Sequence, residues 1–288
     1  MKFGSINPIV IGKHGGKDNT DKLFASLDRT KLLTKKIDKS NPDLLISFCS
    51  PEASRVAFGL GIPHIAFSDS PHAKAVMKLS LPYATKLLTP WIIQKKDFEE
   101  FGINSKNIIR YRSIDAAIII KNYRRSNKKK LNFSKNILIR PEESEAAYIT
   151  KKTKTIKIIK KIVEKFPNEQ KIVLSRYNEQ NNELKKKFGK NISLLSKPVN
   201  GKELLSHVDC FIGSGGTMTA EAGLLGIPTI SLNTVPNKIE DFLVKKRIIV
   251  RNESPDRISK EVYQSLNNLQ IIKKRKENAR KLVASFED

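Results

Sequence analysis

The sequence predicts an α/β protein with two parallel-sheet domains that face a cleft. Short apolar runs of strand length alternate with helical stretches, and this alternation occurs in two blocks separated by a polar, basic interval. Such alternation is typical of βα units in doubly wound sheets. Ligands of these sheets bind outside the carboxyl ends of the strands, so residues that follow strands are the candidates for function.

The first block, residues 1–123, contains the apolar runs "PIVIG", "DLLISF", "HIAFS", "KLLT" and "NIIRY". Helices are expected to begin near Thr20, Pro51, His72 and Gln94. Residues 124–134 form a basic linker. The second domain, residues 135–288, restarts the pattern with "NILIR", "KIVLSR", "ISLL", "CFIGS" and "PTISL", and is expected to be helical from Pro255 onward.

A net charge of +25 indicates an anionic partner, an anionic surface or a lysine-rich background, and no nucleic-acid-binding pattern accompanies it. Weak electrostatic attraction to an acidic membrane explains the charge as well as a nucleic-acid partner does. The sequence has no apolar run long enough to cross a bilayer and no signal peptide, so a cytoplasmic protein, peripheral at the inner face of the membrane, is expected. Cys49 and Cys210 are expected to be buried, and the histidines lack ligand spacing, so no metal or cofactor is expected.

The segment "DCFIGSGGTMTAEAGLLGIPTISLN" carries the main candidate site. Gly215 and Gly216 allow a tight turn after a buried strand, and the helix that begins near Thr217 directs its positive end at that turn, beside Ser214. This arrangement suits a phosphate or diphosphate. Glu221 follows on the same helix and can accept hydrogen bonds from a ribose diol. The alternative is an ordinary turn with a capping hydroxyl and a glutamate that faces solvent.

Two arginines end strands of the second domain. Arg140 closes "NILIR" and Arg176 closes "KIVLSR", and their guanidinium groups could hold a diphosphate in bidentate fashion. The alternative for each is a surface arginine at a strand end.

The first domain offers acid, base and phosphate-binding candidates. Asp69 in "FSDSPHAKA" is the candidate general base, and His72 is its alternative. A simpler interpretation is a Ser/Asp helix cap with Pro71 in the first turn. Ser50 and Glu52 follow another strand and are candidates for contacts with the acceptor or its phosphate, although Glu52 could simply complement a helix dipole.

The loop "GKHGGKDN" is the remaining candidate of the first domain. Lys13, His14, Gly15 and Gly16 suit a phosphate of the acceptor, or form a plain connection. The loop lacks the residues of a P-loop, so ATP hydrolysis is not expected.

The segment "GSGGTMTAEAGLLGIPTISL" resembles the nucleotide-sugar-binding segment of GT-B proteins, above all the N-acetylglucosaminyltransferase of peptidoglycan synthesis. With "GKHGG" and "SPEASRVAFGLGIPHIAF", the chain is similar to an uncharacterised archaeal family of GT-B-type proteins. The resemblance implies two Rossmann-like domains and a UDP-linked sugar donor, with Ser214, Gly215, Gly216, Thr217 and Glu221 on the nucleotide. It implies a metal-independent glycosyltransferase acting on a lipid-linked acceptor. The alternatives are a UDP-N-acetylhexosamine 2-epimerase and a non-catalytic subunit of a membrane glycosylation complex.

Two departures from the resembled pattern lead to further expectations. The transferase has a glycine-rich loop where "RPEES" follows Arg140. GT-B proteins also begin with two βα units before the strand that matches "NPIVIG", so the first domain is expected to be incomplete. Either the chain is a fragment, or "PIVIG" pairs directly with "DLLISF" in a smaller sheet.

Overall fold

The computed structural model describes residues 7–16, 18–121, 135–141, 153–175, 178–195, 199–232, 235 and 237–287. Contacts between these residues divide the chain into a first unit, Met1–Tyr111, and a second unit, Arg112–Asp288. The linker expected at 124–134 lies outside the described residues.

The first unit is built on four parallel strands in the order β1-β2-β3-β4. Its elements are α1 (Asn19–Ser40), β1 (Leu45–Ser47), α2 (Pro51–Gly59), β2 (His64–Phe67), α3 (Lys74–Ser80), β3 (Lys86–Pro90), α4 (Lys96–Glu99) and β4 (Ile108–Tyr111). These strands coincide with four of the five apolar runs, which confirms the predicted βα alternation of residues 43–111.

The remaining run, "PIVIG", does not form the predicted strand. Residues 7–11 have no regular structure, and the side chain of Val10 is 86% exposed. The predicted pairing of this run with "DLLISF" is therefore wrong, and β1 pairs with β2 alone among the strands of the described chain. The run has the composition of a strand, but a short apolar segment is stable as a strand only where neighbours pair with it and cover it.

Helix starts in the first unit follow local capping chemistry. The Asp18 carboxylate accepts hydrogen bonds from the backbone N–H groups of Thr20 and Asp21 and so begins α1. Ser50 caps α2 in the same way, with Pro51 in the first turn. The helix expected near His72 begins instead at Lys74, and no side chain of the described residues caps it, so the predicted Ser/Asp cap with Pro71 is not formed.

The second unit contains a six-stranded parallel sheet in the order β10-β9-β8-β5-β6-β7. Its strands are β5 (Asn136–Arg140), β6 (Gln170–Leu174), β7 (Ser193–Leu195), β8 (Cys210–Gly213), β9 (Thr229–Ser231) and β10 (Ile249–Arg251). Its helices are α5 (Asp115–Lys121), α6 (Thr153–Lys165), α7 (Asn178–Phe188), α8 (Gly201–Ser206), α9 (Thr217–Leu224), α10 (Lys238–Lys245), α11 (Pro255–Asn267) and α12 (Leu269–Ala284). Helix α5 packs against α9 and lies in this unit, although the sequence interpretation had assigned its residues to the first domain.

Both faces of the second sheet are buried, as a parallel sheet requires. Ile137 and Ile139 of β5 pack on one face in a cluster with α6 and α11, and Leu138 packs on the other face beside Phe211. The sequence correctly predicts the helices that follow β8 and β10, but it does not predict α10 and β10. The predicted doubly wound α/β architecture is otherwise confirmed.

Both cysteines are buried and free, as predicted. Burial raises the pKa of Cys49 to about 11 and that of Cys210 to about 12, so both thiols are protonated at neutral pH. No helix in the described part of the chain is long and apolar enough to span a membrane.

Candidate functional site

The strand order of the second unit fixes one position where a ligand can bind. The chain leaves β5 toward β6 and β7 and then returns to β8 on the other side of β5, so the carboxyl ends of β5 and β8 lie at a topological switch point. Arg140 is paired in register with Gly213 at that point. The two segments that the sequence singled out, the end of "NILIR" and the glycine-rich turn, are therefore adjacent.

The glycine-rich turn has a backbone that other residues would disrupt. A Cβ atom on Gly213 would lie 2.5 Å from both a ring carbon of Phe211 and the hydroxyl of Thr219. Gly215 and Gly216 have φ angles of 90° and 77°, in the left-handed region that favours glycine. The turn thus depends on glycine at three of four consecutive positions.

The N-terminus of α9 leaves its first backbone N–H groups available. Gly216 is the N-cap, and no side chain from the described residues caps the helix. The Thr219 hydroxyl donates to the carbonyl of Gly215 at 2.9 Å, so it does not serve as the cap either. The capped turn considered as an alternative is not formed, and the open N–H groups with the helix dipole provide a site suited to an anion.

Glu221 lies one helical turn after Thr217 on α9, which places both residues on one face of the helix. Its side chain is half-buried. Burial raises the pKa of Glu221, and the nearby ammonium group of Lys202 at the start of α8 opposes this shift in part. No hydrogen-bond partner for the carboxylate occurs among the described residues, so its acceptor oxygens remain available to a ligand.

The two arginines differ in what the structure shows. Arg140 is half-buried at the carboxyl end of β5, beside the turn. Arg176 lies outside the described residues, as does the segment after Pro141 that departs from the resembled loop. The expectation that both arginines reach one ligand remains a prediction.

In the first unit, Asp69 and His72 follow β2. The Ser70 hydroxyl donates a hydrogen bond of 2.6 Å to a carboxylate oxygen of Asp69, whose side chain is half-buried. His72 is exposed. Both residues lie at the carboxyl end of a parallel strand, as expected for site residues, and their roles remain predictions.

The other candidates of the first unit are brought together by Arg29 of α1. Its guanidinium group bonds Glu52 at 2.6 Å through Nη2 and at 3.0 Å through Nε, and it donates through Nη1 to the carbonyl of Lys13 at 2.8 Å. The Ser50 hydroxyl donates to the second carboxylate oxygen of Glu52 at 3.1 Å. The loop with Lys13 is therefore joined to the start of α2.

This network gives Glu52 a structural role in the first unit. Burial alone would raise the pKa of Glu52, but hydrogen bonds from Arg29 and Ser26 outweigh it and lower the pKa below its usual value. The carboxylate is thus held ionised by groups of the protein itself. A contact of Glu52 with the sugar acceptor stays a prediction. Both of its carboxylate oxygens already accept hydrogen bonds from the protein.

The loop with His14, Gly15 and Gly16 packs closely on α1. A Cβ atom on Gly15 would lie 2.5 Å from the Cα of Lys22, so glycine permits this contact. The Gly16 N–H donates to a ring nitrogen of His14 at 3.1 Å. The loop therefore contacts α1, and its role as a phosphate-binding loop or a plain connection stays a prediction.

Sequence reasoning missed two residues that bear on these sites. Arg29 is 23 positions from Glu52, and no local pattern links an arginine in the middle of a helix to an acid in the next one. Lys202 follows "NG" at the start of α8. From the sequence, a lysine next to a helix N-cap is expected to be an ordinary solvated side chain. Only the three-dimensional structure shows that it lies near Glu221.

The whole chain, residues 1–288, belongs to the family described as "Protein of unknown function (DUF354)". A relative from Methanocaldococcus jannaschii, "Uncharacterized protein MJ0665", is 32% identical over 267 residues, which cover 84% of this chain and 73% of that protein. The predicted membership of an uncharacterised family with archaeal members is confirmed.

Solved structures share the fold at low sequence identity. UDP-GlcNAc 2-epimerase from Neisseria meningitidis, bound to UDP-GlcNAc, is similar with a TM-score of 0.71 and 15% identity, over 93% of this chain and 82% of that chain. The Methanocaldococcus jannaschii UDP-GlcNAc 2-epimerase in complex with UDP-GlcNAc and UDP gives 0.67 and 17%, over 95% and 82%. The glycotransferase of kitacinnamycin gives 0.59 and 15%, over 96% and 82%. These similarities confirm the predicted GT-B type of fold.

Proposed function

We propose that this DUF354 protein binds a UDP-linked sugar at the carboxyl ends of β5 and β8 and transfers the sugar to an acceptor without a metal ion. One observation carries the proposal: the uncapped N-terminus of α9 follows a double-glycine turn and lies beside Arg140, and Glu221 follows one helical turn later. An anion-binding turn and a carboxylate acceptor at this separation match the two ends of a ribose diphosphate.

The diphosphate is held by the backbone N–H groups of Ser214 to Thr217 and by Arg140, with Arg176 as a second guanidinium. These donors stabilise the negative charge that develops on the diphosphate as the bond between sugar and phosphate breaks. The helix dipole and the arginines supply the positive charge that a divalent metal supplies in other transferases.

The ribose hydroxyls donate hydrogen bonds to the Glu221 carboxylate. Such bonds to an ionised acceptor are about twice as strong as neutral ones. They replace the water that a half-buried carboxylate would otherwise hold, and Lys202 favours the ionised form that accepts them.

Acceptor chemistry is assigned to the first unit. Asp69, or alternatively His72, removes the proton from the acceptor hydroxyl, whose oxygen attacks the anomeric carbon of the sugar. The bond from that carbon to the phosphate oxygen breaks, and the nucleoside diphosphate leaves with the electron pair. Lys13 to Gly16 would contact a phosphate of a lipid-linked acceptor.

The test uses the purified protein with UDP-GlcNAc and a lipid extract. Incorporation of labelled sugar into lipid supports the transferase, and isomerisation of the sugar without an acceptor identifies the 2-epimerase instead. Saturable UDP binding without turnover under either condition supports a non-catalytic binding subunit. Absence of UDP binding in calorimetry would refute the common premise of all three.

The charge of +25 supports association of this activity with an anionic membrane. Sedimentation with anionic vesicles is expected to fall steeply as salt rises, since electrostatic attraction is screened over about 8–10 Å at physiological ionic strength. Neutral vesicles are the control and are expected to bind poorly. Stronger, sequence-selective retention on DNA or RNA at the same salt would contradict membrane association.

A further inference from the structure

The second unit contains a pocket that the proposed function does not use. It lies beside β10, the edge strand of the sheet, between the C-terminal end of α10 and α12, and has a volume of about 360 Å³. This volume falls at the lower end of the range of small-molecule sites, about 300–1,000 Å³. Strand β9 separates β10 from β8, so the pocket is distinct from the switch point at β5 and β8.

The lining of the pocket combines apolar side chains with cations. Val244, Ile249 and Ile271 supply apolar surface, and Arg247 and Lys274 supply positive charge. None of the described residues that line the pocket carries a carboxylate. Its composition therefore favours an anion that carries an apolar portion over a plain inorganic ion.

Two further arginines that line the pocket form ion pairs with acidic residues of the protein. Arg251 bonds Glu240 through Nε and Asp241 through Nη1, both at 2.7 Å. Arg275 bonds Ser265 and Glu261, each at 3.2 Å. Arg251 thus joins β10 to α10, and Arg275 joins α12 to α11. Arg247 and Lys274, in contrast, are exposed at the rim.

Arg247 occupies a position where a side chain is disfavoured. It follows the end of α10 with a φ of 57°, in a Schellman motif whose bonds are Arg247 N–H to Val244 O at 2.8 Å and Ile248 N–H to Leu243 O at 3.0 Å. Helices α2 and α9 end in the same motif with Gly61 and Gly226 at the equivalent position. Arg247 adopts this left-handed conformation at a backbone cost that glycine does not have, as Asn41 and Cys49 do elsewhere in the described chain.

Helix α12 closes the pocket against this end of α10. The Asn278 amide donates to the carbonyls of Lys246 and Arg247 at 3.2 and 3.4 Å. Both carbonyls lie just past the end of α10, so this contact joins α12 to the turn that leads into β10.

We infer that this pocket is a second ligand site, specific for an organic phosphate with a short apolar chain, whose phosphate is bound by Arg247 and Lys274 and whose chain packs on Val244, Ile249 and Ile271. Such a phosphate can come from a soluble amphiphile or from the headgroup region of an anionic lipid. Because the site is separate from the switch point, its ligand does not compete with UDP.

The experiment measures binding of hexyl phosphate by calorimetry, with inorganic phosphate for comparison. Saturable binding at least about tenfold tighter than that of inorganic phosphate is expected, since two buried methylene groups account for that difference. Arg247→Gly removes the cation but relieves the positive φ, so it is expected to weaken binding about tenfold while the melting temperature does not fall. Lys274→Glu is expected to weaken binding similarly, and Lys273→Glu, on the same helix outside the pocket, is the charge-matched control.

Vesicles of phosphatidylglycerol distinguish the two sources. If Arg247→Gly reduces retention of the protein on these vesicles more than Lys273→Glu does, the source is a lipid. If both variants reduce retention equally, the source is the soluble phosphate. The inference is overturned if Arg247→Gly binds hexyl phosphate as the wild type does, if inorganic phosphate binds as tightly as hexyl phosphate, or if UDP displaces the ligand. The first two results leave UDP binding unaffected, and displacement by UDP would refute only the separation of the two sites, so this inference and the proposed function fail separately.

Discussion

The two units use the same βα pattern but bury their apolar residues to different extents. In the second unit the central strands are buried on both faces, and few large apolar side chains of its described residues are exposed: Val199, Tyr263 and Leu269. In the first unit they include Leu23, Phe24, Leu27, Ile46, Phe48 and Ile109. The same sequence pattern therefore leads to a sheet with two covered faces in one unit and to a partly exposed sheet in the other.

Two features account for the difference. Ile46, Phe67 and Ile109 lie on one face of the first sheet, and Phe48 and Tyr111 extend this face by ring contacts of 5.7 and 6.3 Å to Phe67. Helix α1 directs Ser26 and Arg29 toward Glu52 of α2 and leaves Leu23, Phe24 and Leu27 exposed. Polar contacts join α1 to α2, whereas α6 and α11 of the second unit pack into an apolar cluster on the sheet.

The largest expected effect of this difference is on stability. Phe211→Ala, at a fully buried side chain of β8, is expected to lower the free energy of unfolding by about 3–5 kcal/mol, because it removes apolar contacts and leaves a cavity. Phe48→Ala, at a side chain that is 74% exposed in the first unit, is expected to cost less than about 1 kcal/mol. Urea unfolding of the two variants measures both values. Equal losses would show that the exposed face of the first sheet is covered in solution.

The next effect separates the units by ligand. Glu221→Gln is expected to weaken UDP binding by about 1–3 kcal/mol, because charge-assisted hydrogen bonds from the ribose become neutral ones. Asp69→Asn removes a carboxylate of the first unit and is expected to leave UDP affinity unchanged while it lowers the rate of transfer. Calorimetry with UDP gives the affinities. Unchanged affinity in Glu221→Gln would refute the assignment of Glu221, and weakened affinity in Asp69→Asn would refute the division of roles.

A smaller effect is expected where polar contacts hold the first unit. Glu52→Gln is expected to lower the free energy of unfolding by about 1–2 kcal/mol, because Arg29, Ser26 and Ser50 lose a charged acceptor. The control is Glu277→Gln on α12, whose ion pair with Lys281 is exposed and is expected to contribute little, because solvent screens it. Thermal or urea unfolding compares them. If both variants lose the same stability, the Arg29 network is not what holds α1.

The sequence predicted the parts of the fold that depend on local patterns. Four apolar runs of the first unit and five of the second became strands, and Arg140 ends β5 as predicted. These predictions rest on the periodicity of apolar residues and on the rules for connections between strands, which apply within one βα unit.

The failures arose where distant contacts decide the outcome. The run "PIVIG" has strand composition but no pairing strand among the described residues, and α3 starts at Lys74 although the cap signal comes earlier. Strand β10 is only three residues long. The segment "RIIV", which overlaps it, has no alternation of apolar and polar residues that would predict a strand. The contacts of Arg29 with Glu52 and Lys13 join three segments, which no periodicity in the sequence could indicate.

The smallest expected effect is on the pH dependence of stability, and it has opposite signs in the two units. The folded-state pKa of Glu52 is lowered, so its contribution is present above its unfolded pKa of about 4.3 and is lost as pH falls through the folded value. The folded-state pKa of Glu221 is raised, so its contribution is present below the unfolded pKa and is lost as pH rises through the folded value. Glu221→Gln is therefore expected to increase relative stability as pH rises from 4 to 7, and Glu52→Gln to decrease it. Unfolding measured at several pH values for wild type and both variants gives the slopes. Equal slopes in the two variants would show that the environments of the two glutamates do not differ as the structure indicates.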